Sequence, residues 1–123
     1  MTAARKKPKV LVVDDERVIA DTLAIILNQH GYDAFAVYTG NAAVERARSL
    51  SPDLIISDVI MPDMNGIEAA ICIRAFLPAC KILLFSGQAA TQDLLEDARA
   101  QGHEFEILAK PVHPQDLLAK LQS

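Results

Sequence analysis

Four apolar stretches of the sequence each end in a polar residue that can take part in binding or catalysis. The stretch LVV ends at Asp14 and Asp15, LIIS ends at Asp58, ILLF ends at Ser86, and EILA ends at Lys110. Short apolar runs of this kind are typical of buried parallel strands. Ligands of an open parallel sheet bind beyond the carboxyl ends of its strands. The sequence therefore predicts three carboxylates, a hydroxyl and an amine at one edge of a sheet, a set that suits metal-assisted phosphate chemistry.

Three carboxylates held close together repel one another unless a cation or a shared proton lies among them. Two like charges about 4 Å apart repel by about 4 kcal/mol at an effective dielectric constant near 20. Oxygen ligands favour a hard cation, so we predict Mg²⁺, with Mn²⁺ as a substitute, among Asp14, Asp15 and Asp58. A Ca²⁺ site would need a dedicated loop with more oxygen ligands, and the sequence contains no such loop.

Asp58 is the candidate nucleophile because it stands alone at the end of its strand, and a carboxylate can hold an acyl phosphate. The adjacent Asp14 and Asp15 would point in different directions, which suits metal capture. Lys110 would bind one phosphate oxygen and the hydroxyl of Ser86 another. Each residue alone also has an ordinary interpretation as a turn, helix-cap or surface residue. Their joint placement at strand ends favours the functional interpretation.

The elements that would position these residues alternate between strand and helix five times, which favours an α/β architecture. The apolar runs predict strands at residues 10–13, 32–38, 54–57, 81–85 and 106–109. Helical spacing and cap signals predict helices at residues 16–30, 41–50, 67–77, 91–101 and 114–121. We expect a flavodoxin-like (βα)5 three-layer sandwich with a parallel sheet of order 2-1-3-4-5, in which the first and third strands are neighbours.

Length and composition fit one folded domain. The chain has 123 residues, of which 51% are hydrophobic, and its net charge of −4 argues against general nucleic-acid binding. Residues 1–8 are expected to form a basic tail rather than a signal peptide, because no apolar segment follows them before the first strand. No apolar stretch approaches the ~18 residues of a membrane span. Cys72 and Cys80 are expected to be ordinary thiols, which fits a cytoplasmic protein.

Four strings, VLVVDDE, LIISDVIMPDMNG, ILLFSG and LAKP, resemble in order and spacing the receiver domain of two-component response regulators. Within that family the chain resembles the single-domain, chemotaxis-regulator-like type. The resemblance implies that residues 9–123 form a receiver domain, a switch that catalyses only its own phosphorylation and dephosphorylation. The implied phosphodonor is a sensor histidine kinase or a histidine phosphotransfer protein, and small donors such as acetyl phosphate would also serve.

The resemblance gives each acidic residue a role. Asp58 is implied to be the phosphoacceptor, and Asp14 and Asp15 are implied to bind Mg²⁺ together with Asp58 and the backbone carbonyl of Ile60. Ile60 and Gln88 stand two residues beyond Asp58 and Ser86, where such neighbours influence the access of water to the acyl phosphate. The apolar Ile60 is expected to shield it.

The resemblance also implies the residues that sense the phosphoryl group. Ser86 would turn toward it and Lys110 would contact it, with a cis peptide bond between Lys110 and Pro111. The switch position, three residues before the lysine, usually holds an aromatic residue in this family but holds Ile107 here. Phe105 lies on the same strand face but further from the edge of the sheet. The departure at Ile107 therefore predicts an unusual coupling between phosphate sensing and output in this chain.

Three alternatives remain at this point. A haloacid-dehalogenase-like phosphatase would carry an Asp-x-Asp signature after the first strand. In this chain Arg17 stands where the second Asp of that signature would be. A flavodoxin-type binding module would need a Gly/Ser/Thr-rich phosphate loop, and the string DDER is its electrostatic opposite. A degenerate receiver acting as a protein–protein adaptor stays open because of Ile107. The resemblance also leaves open a homodimer through the fourth helix, fifth strand and fifth helix.

Overall fold

Five strands alternate with five helices in the computed structural model, which describes residues 7–87, 91–110 and 112–122. The strands are β1 (Lys9–Val13), β2 (Asp33–Val37), β3 (Leu54–Asp58), β4 (Lys81–Ser86) and β5 (Glu106–Ala109). The helices are α1 (Arg17–Asn28), α2 (Gly40–Leu50), α3 (Gly66–Phe76), α4 (Thr91–Ala100) and α5 (Pro114–Gln122). Gln88, Pro111 with its predicted cis bond, and most of the predicted basic tail lie outside the described residues.

The five strands form one parallel sheet of order β2-β1-β3-β4-β5, which confirms the predicted topology. One layer, formed by α1 and α5, packs on one face of this sheet, and α2, α3 and α4 pack on the other. Both faces are therefore covered, which explains why the strands read as continuous apolar runs rather than as alternating patterns.

The two central strands carry the core in alternation. Val10 and Val12 of β1 pack toward α1 and α5, whereas Leu11 and Val13 pack toward the other helix layer. All four side chains are fully buried, and every residue of β3 is buried as well. The ends of β1 and β3 are therefore rigidly placed, and these ends carry the acidic residues.

The strand ends differ from the sequence prediction at two functional positions. Asp58 and Ser86 are the last residues of β3 and β4, not the first residues after them. The reason is that each has a partner on the next strand, since Asp58 lies opposite Phe85 and Ser86 lies opposite Ala109. At the other end of the molecule α1 ends before residue 30, because Gly31 adopts a left-handed conformation with φ of 92°.

The beginning of α3 lies directly against the backbone of β3. Asn65 and Glu68 form a capping box, and the Gly66 amide donates a 2.7 Å hydrogen bond to the Val59 carbonyl. A Cβ atom at Gly66 would lie 2.1 Å from the carbonyl oxygen of Asp58. Only glycine permits this approach, so α3 and the backbone of Asp58 support each other.

Within the described part of the chain, each helix is too short or too polar to pass through a lipid bilayer.

We expect Gly66→Ala to lower the free energy of unfolding by about 2 to 3 kcal/mol, because its methyl group overpacks a backbone contact that cannot yield. Gly31→Ala is the matched control, because nothing lies within 4 Å of its Cβ and only the cost of a left-handed residue, about 1 kcal/mol, applies. Urea denaturation measures both. Equal losses in the two variants would contradict the packing argument.

Candidate functional site

Three carboxylates converge where β1 and β3 end. Asp14, Asp15 and Asp58 each offer one oxygen, and these oxygens all lie within 4.8 Å of one another. Asp14 follows β1 directly, and Asp58 ends the neighbouring β3. Asp14 and Asp58 are buried, whereas Asp15 is exposed to solvent. The structure thus brings together the three acids that the sequence singled out.

Asp14 is the least accessible of these acids. Its side chain is fully buried, and its Oδ1 accepts a 2.9 Å hydrogen bond from the Glu16 amide. Its Oδ2 has no hydrogen-bond partner among the described residues. Burial, with a further contribution from the Asp58 charge, raises the pKa of Asp14 to about 6, although the Glu16 hydrogen bond works in the opposite direction. A buried carboxylate oxygen without a donor is where a cation fits.

Lys110 is the cation that faces this group. Its Nζ lies 3.3 Å from Asp58 Oδ2 and 3.7 Å from Asp14 Oδ2. The Lys110 amide donates to the Ser86 carbonyl at 3.2 Å, which fixes the lysine at the end of β5 beside β4. Burial raises the pKa of Asp58, and the Lys110 charge offsets part of this rise. One ammonium group therefore serves two buried carboxylates.

A cleft of about 420 Å³ opens beside Asp58. It is lined by Asp15, Glu16, Asp58, Ile60, Ser86, Gly87 and Lys110. These residues come from the ends of four strands, β1, β3, β4 and β5, and the loops that follow them. The cleft combines anionic, hydroxyl, cationic and apolar groups around one buried carboxylate, and its volume admits a phosphoryl group together with a hydrated ion.

Ser86 has a partner that sequence reasoning did not assign to the site. Its Oγ lies 2.5 Å from Oγ1 of Thr91, and both residues are buried. The sequence indicated Thr91 only as the N-cap of a helix, and the structure has it as the first residue of α4. A hydroxyl residue five positions after Ser86 is the one available signal, and it does not reveal that the two side chains meet.

The predicted switch residue Ile107 is half-buried on β5 and packs into the cluster beneath α3 and α4. Phe105 lies just before β5 under the guanidinium group of Arg74, whose carbon atom is 4.3 Å from the ring centroid. The His103 ring stacks on the Phe105 ring at a centroid distance of 6.4 Å. Neither Ile107 nor Phe105 lines the cleft beside Asp58.

The chain and its structure are similar to proteins of one known family. The model of the response regulator receiver domain matches residues 10–122. The structure of the chemotaxis protein CheY4 of Vibrio cholerae is similar to this chain with 31% sequence identity and a TM-score of 0.84, covering 95% of this chain and 98% of CheY4. A CheY-like receiver domain protein of Methanospirillum hungatei is similar with 26% identity and a TM-score of 0.85, covering 95% and 92% of the two chains.

Longer relatives match as well. The DNA-binding response regulator MtrA of Mycobacterium tuberculosis is 29% identical over 117 residues, which are 95% of this chain and 50% of MtrA. The transcriptional regulatory protein CreB of Escherichia coli is 30% identical over 118 residues, which are 96% of this chain and 51% of CreB. The chain thus spans about half the length of these curated relatives. Its fold, its family match and its acidic cluster agree, and the chain belongs to the response regulator receiver domain family, the signalling switches of two-component systems.

Proposed function

We propose that Asp58 is the phosphoacceptor of this receiver domain and takes a phosphoryl group from a phosphohistidine. The observation that carries the proposal is the environment of one carboxylate. Asp58 is buried at the end of β3, within 4.8 Å of two further acids and 3.3 Å from an ammonium group, and it borders an open cleft. The carboxylate of Asp58 is thus open to a phosphodonor from the cleft. The Lys110 ammonium group beside it can bind a phosphate oxygen, and the two neighbouring acids can bind a metal ion.

The transfer itself exchanges one bond to phosphorus for another. A carboxylate oxygen of Asp58 forms the new O–P bond while the P–N bond of the phosphohistidine breaks. The electron pair of that bond stays on the ring nitrogen, and neutral imidazole leaves because its other nitrogen already carries a proton. With a small donor such as acetyl phosphate, acetate leaves instead. The charge that develops on the transferred oxygens needs positive partners.

Lys110 supplies one of these partners. In the unphosphorylated protein its ammonium group pairs with Asp58 and Asp14. Acyl phosphate formation converts the charged Asp58 carboxylate into a neutral mixed anhydride, so Lys110 is free to pair with a phosphoryl oxygen in its place. The hydroxyl of Ser86, which borders the same cleft, donates to another. A degenerate receiver that acts only as an adaptor would be expected to lack some of the phosphate-binding residues. Here Lys110 and Ser86 both line the cleft beside Asp58.

The ion that we propose for this site is Mg²⁺, with Mn²⁺ as a substitute. Asp14, Asp15 and Asp58 would hold it, together with the backbone carbonyl of Ile60. The fit rests on the acidic set and on the buried Asp14 Oδ2, which has no hydrogen-bond donor among the described residues. When bound, Mg²⁺ neutralises the carboxylates and draws charge from the phosphoryl oxygens.

The proposed partner is a sensor histidine kinase or a histidine phosphotransfer protein in the cytoplasm, a compartment that suits the free thiols of Cys72 and Cys80. A homodimer would use the face formed by α4, β5 and α5. On that face Lys120 and Glu106 form an exposed ion pair at 2.7 Å. An exposed pair of this kind contributes little to folding and is able to exchange partners across an interface.

Removing the Asp14 charge should stabilise the metal-free protein. The pKa of Asp14 is raised from 3.8 to about 6, so its ionisation opposes folding increasingly as the pH rises through this range. We expect Asp14→Asn to raise the free energy of unfolding by up to about 3 kcal/mol at pH 8 in chelator and to change it little at pH 3.5. Urea denaturation at the two pH values measures this.

Asp15→Asn is the matched control, because Asp15 is exposed and its charge is solvated. Its effect on the metal-free protein should be small at both pH values. Added Mg²⁺ should raise the unfolding midpoint of the wild type more than that of either variant. A metal-free Asp14→Asn protein that is less stable than the wild type at pH 8 would contradict the charge argument.

The phosphoacceptor role is tested by labelling with acetyl phosphate and Mg²⁺. Intact-mass spectrometry should show the addition of one phosphoryl group to the wild type, none to Asp58→Asn, and none to the wild type in excess chelator. Asp63→Asn is the control, because Asp63 is an exposed acid five residues away whose positive φ of 67° asparagine adopts readily. Unchanged labelling of Asp58→Asn would refute the assignment.

Ile60 should slow hydrolysis of the acyl phosphate, because its apolar side chain lines the cleft beside Asp58 and carries no group that orients water. We expect Ile60→Asn to accelerate dephosphorylation several-fold, while Ile60→Val leaves the rate close to that of the wild type. The decay of labelled protein after removal of the donor gives the rate. Equal rates in all three proteins would show that Ile60 does not control access of water.

A further inference from the structure

The hydroxyl groups of Ser86 and Thr91 join two elements that meet at the site. Ser86 is the last residue of β4, and Thr91 is the first residue of α4. Their oxygens lie 2.5 Å apart, and Thr91 is only 4% exposed to solvent. A hydrogen bond between two buried hydroxyls is directional and links the two residues that form it. It ties the end of the sheet that borders the cleft directly to the beginning of a helix.

We propose that Thr91 is a positioning residue for Ser86 and that the two hydroxyls relay the presence of a phosphoryl group at Asp58 to α4. The inference rests on the proposed phosphoacceptor role of Asp58. It adds to that role a residue which the family resemblance did not single out, and a route for the signal that does not need an aromatic residue at position 107.

The direction of the relay follows from the protons available. A hydroxyl group has one proton to donate and two lone pairs that accept. Phosphoryl oxygens at Asp58 accept only, so Ser86 must donate its proton to them. The hydrogen bond between the two hydroxyls then requires Thr91 to donate to Ser86. Phosphoryl binding therefore selects one of two orientations of this bond, and the bond in turn holds Ser86 in place for the phosphoryl group.

The helix that would receive this signal, α4, has few buried residues. Of the ten residues of α4, all of them described, only Thr91 and Ala98 are buried. Leu94 and Leu95 are partly buried against the cluster that also contains Ile107. In the first half of α4 Thr91 is the one buried residue, and its hydroxyl contact with Ser86 links that end of the helix to β4.

The test uses the whole chain with Mg²⁺ and beryllium fluoride, which imitates a phosphoryl group on a carboxylate. Thr91→Val removes the hydroxyl at nearly constant shape, and Thr91→Ser restores it. We expect Thr91→Val to weaken the apparent affinity for beryllium fluoride roughly threefold to tenfold, the range of one neutral hydrogen bond. Thr91→Ser should stay within about twofold of the wild type, since its hydroxyl can make the same bond.

A double-mutant cycle separates the relay from a general loss of structure. In a Ser86→Ala background the relay is already broken, so adding Thr91→Val should weaken affinity no further. Wild-type affinity in Thr91→Val, or a further loss of the same factor in the double variant, would overturn the proposal.

An independent measurement needs no substitution at position 91. Beryllium fluoride should shift the backbone amide resonances of residues 92–95 in the wild type and should shift them much less in Ser86→Ala. Unchanged resonances in the wild type, despite binding, would overturn the relay alone. If the wild type fails to bind beryllium fluoride and acetyl phosphate fails to label Asp58, the phosphoacceptor role itself has failed and the relay falls with it.

Discussion

The repulsion among buried carboxylates is the constraint around which this molecule is organised. Three negative charges lie within a few ångströms of one another, on Asp14, Asp15 and Asp58. Lys110 contributes one positive charge beside them. Asp14 and Asp58 share this one ammonium group, so the four side chains keep a net charge of −2, and two of the three acids are buried. In the function that we propose, this residual charge attracts a cation and, with it, a phosphoryl group. The charge that weakens the metal-free protein would then be the same charge that binds the ion.

The surrounding structure serves to hold these charges at fixed positions. The apolar residues of β1 and β3 are buried on both faces, so neither strand end can withdraw from the other. Gly66, the first residue of α3, lets the helix backbone approach the carbonyl group of Asp58. A side chain there would push α3 and β3 apart and would move Asp58 relative to Lys110, whose own position depends on the pairing of β4 with β5. Stability and site geometry thus depend on the same few backbone contacts.

Much of this arrangement could be predicted from the sequence, because it follows from local pattern. Apolar runs ended by polar residues indicated the strands, and the rule that ligands bind at strand ends placed the acids together. The additional residues that extend β3 and β4 could not be predicted, since they depend on pairing with the next strand. The contact between Ser86 and Thr91 was missed for a similar reason. A hydrogen bond depends on distances of a few tenths of an ångström between separate elements, and no periodicity in the sequence records them.

The packing around Ile107 shows which elements are linked to the cleft beside Asp58. An aliphatic side chain has no polar group with which to follow a hydroxyl, and Ile107 is held in the cluster beneath α3 and α4. Phe105, two residues before Ile107, is stacked under Arg74, which also donates a 3.2 Å hydrogen bond to the Glu104 carbonyl. These contacts tie the beginning of β5 to α3. The beginning of α4, by contrast, has one buried side chain, and that side chain is bonded to Ser86. Ser86, which borders the cleft beside Asp58, is therefore bonded directly to α4, whereas the side chains at the beginning of β5 are held by α3. The relay that we propose for Ser86 and Thr91 accordingly leads to α4 and does not pass through Ile107.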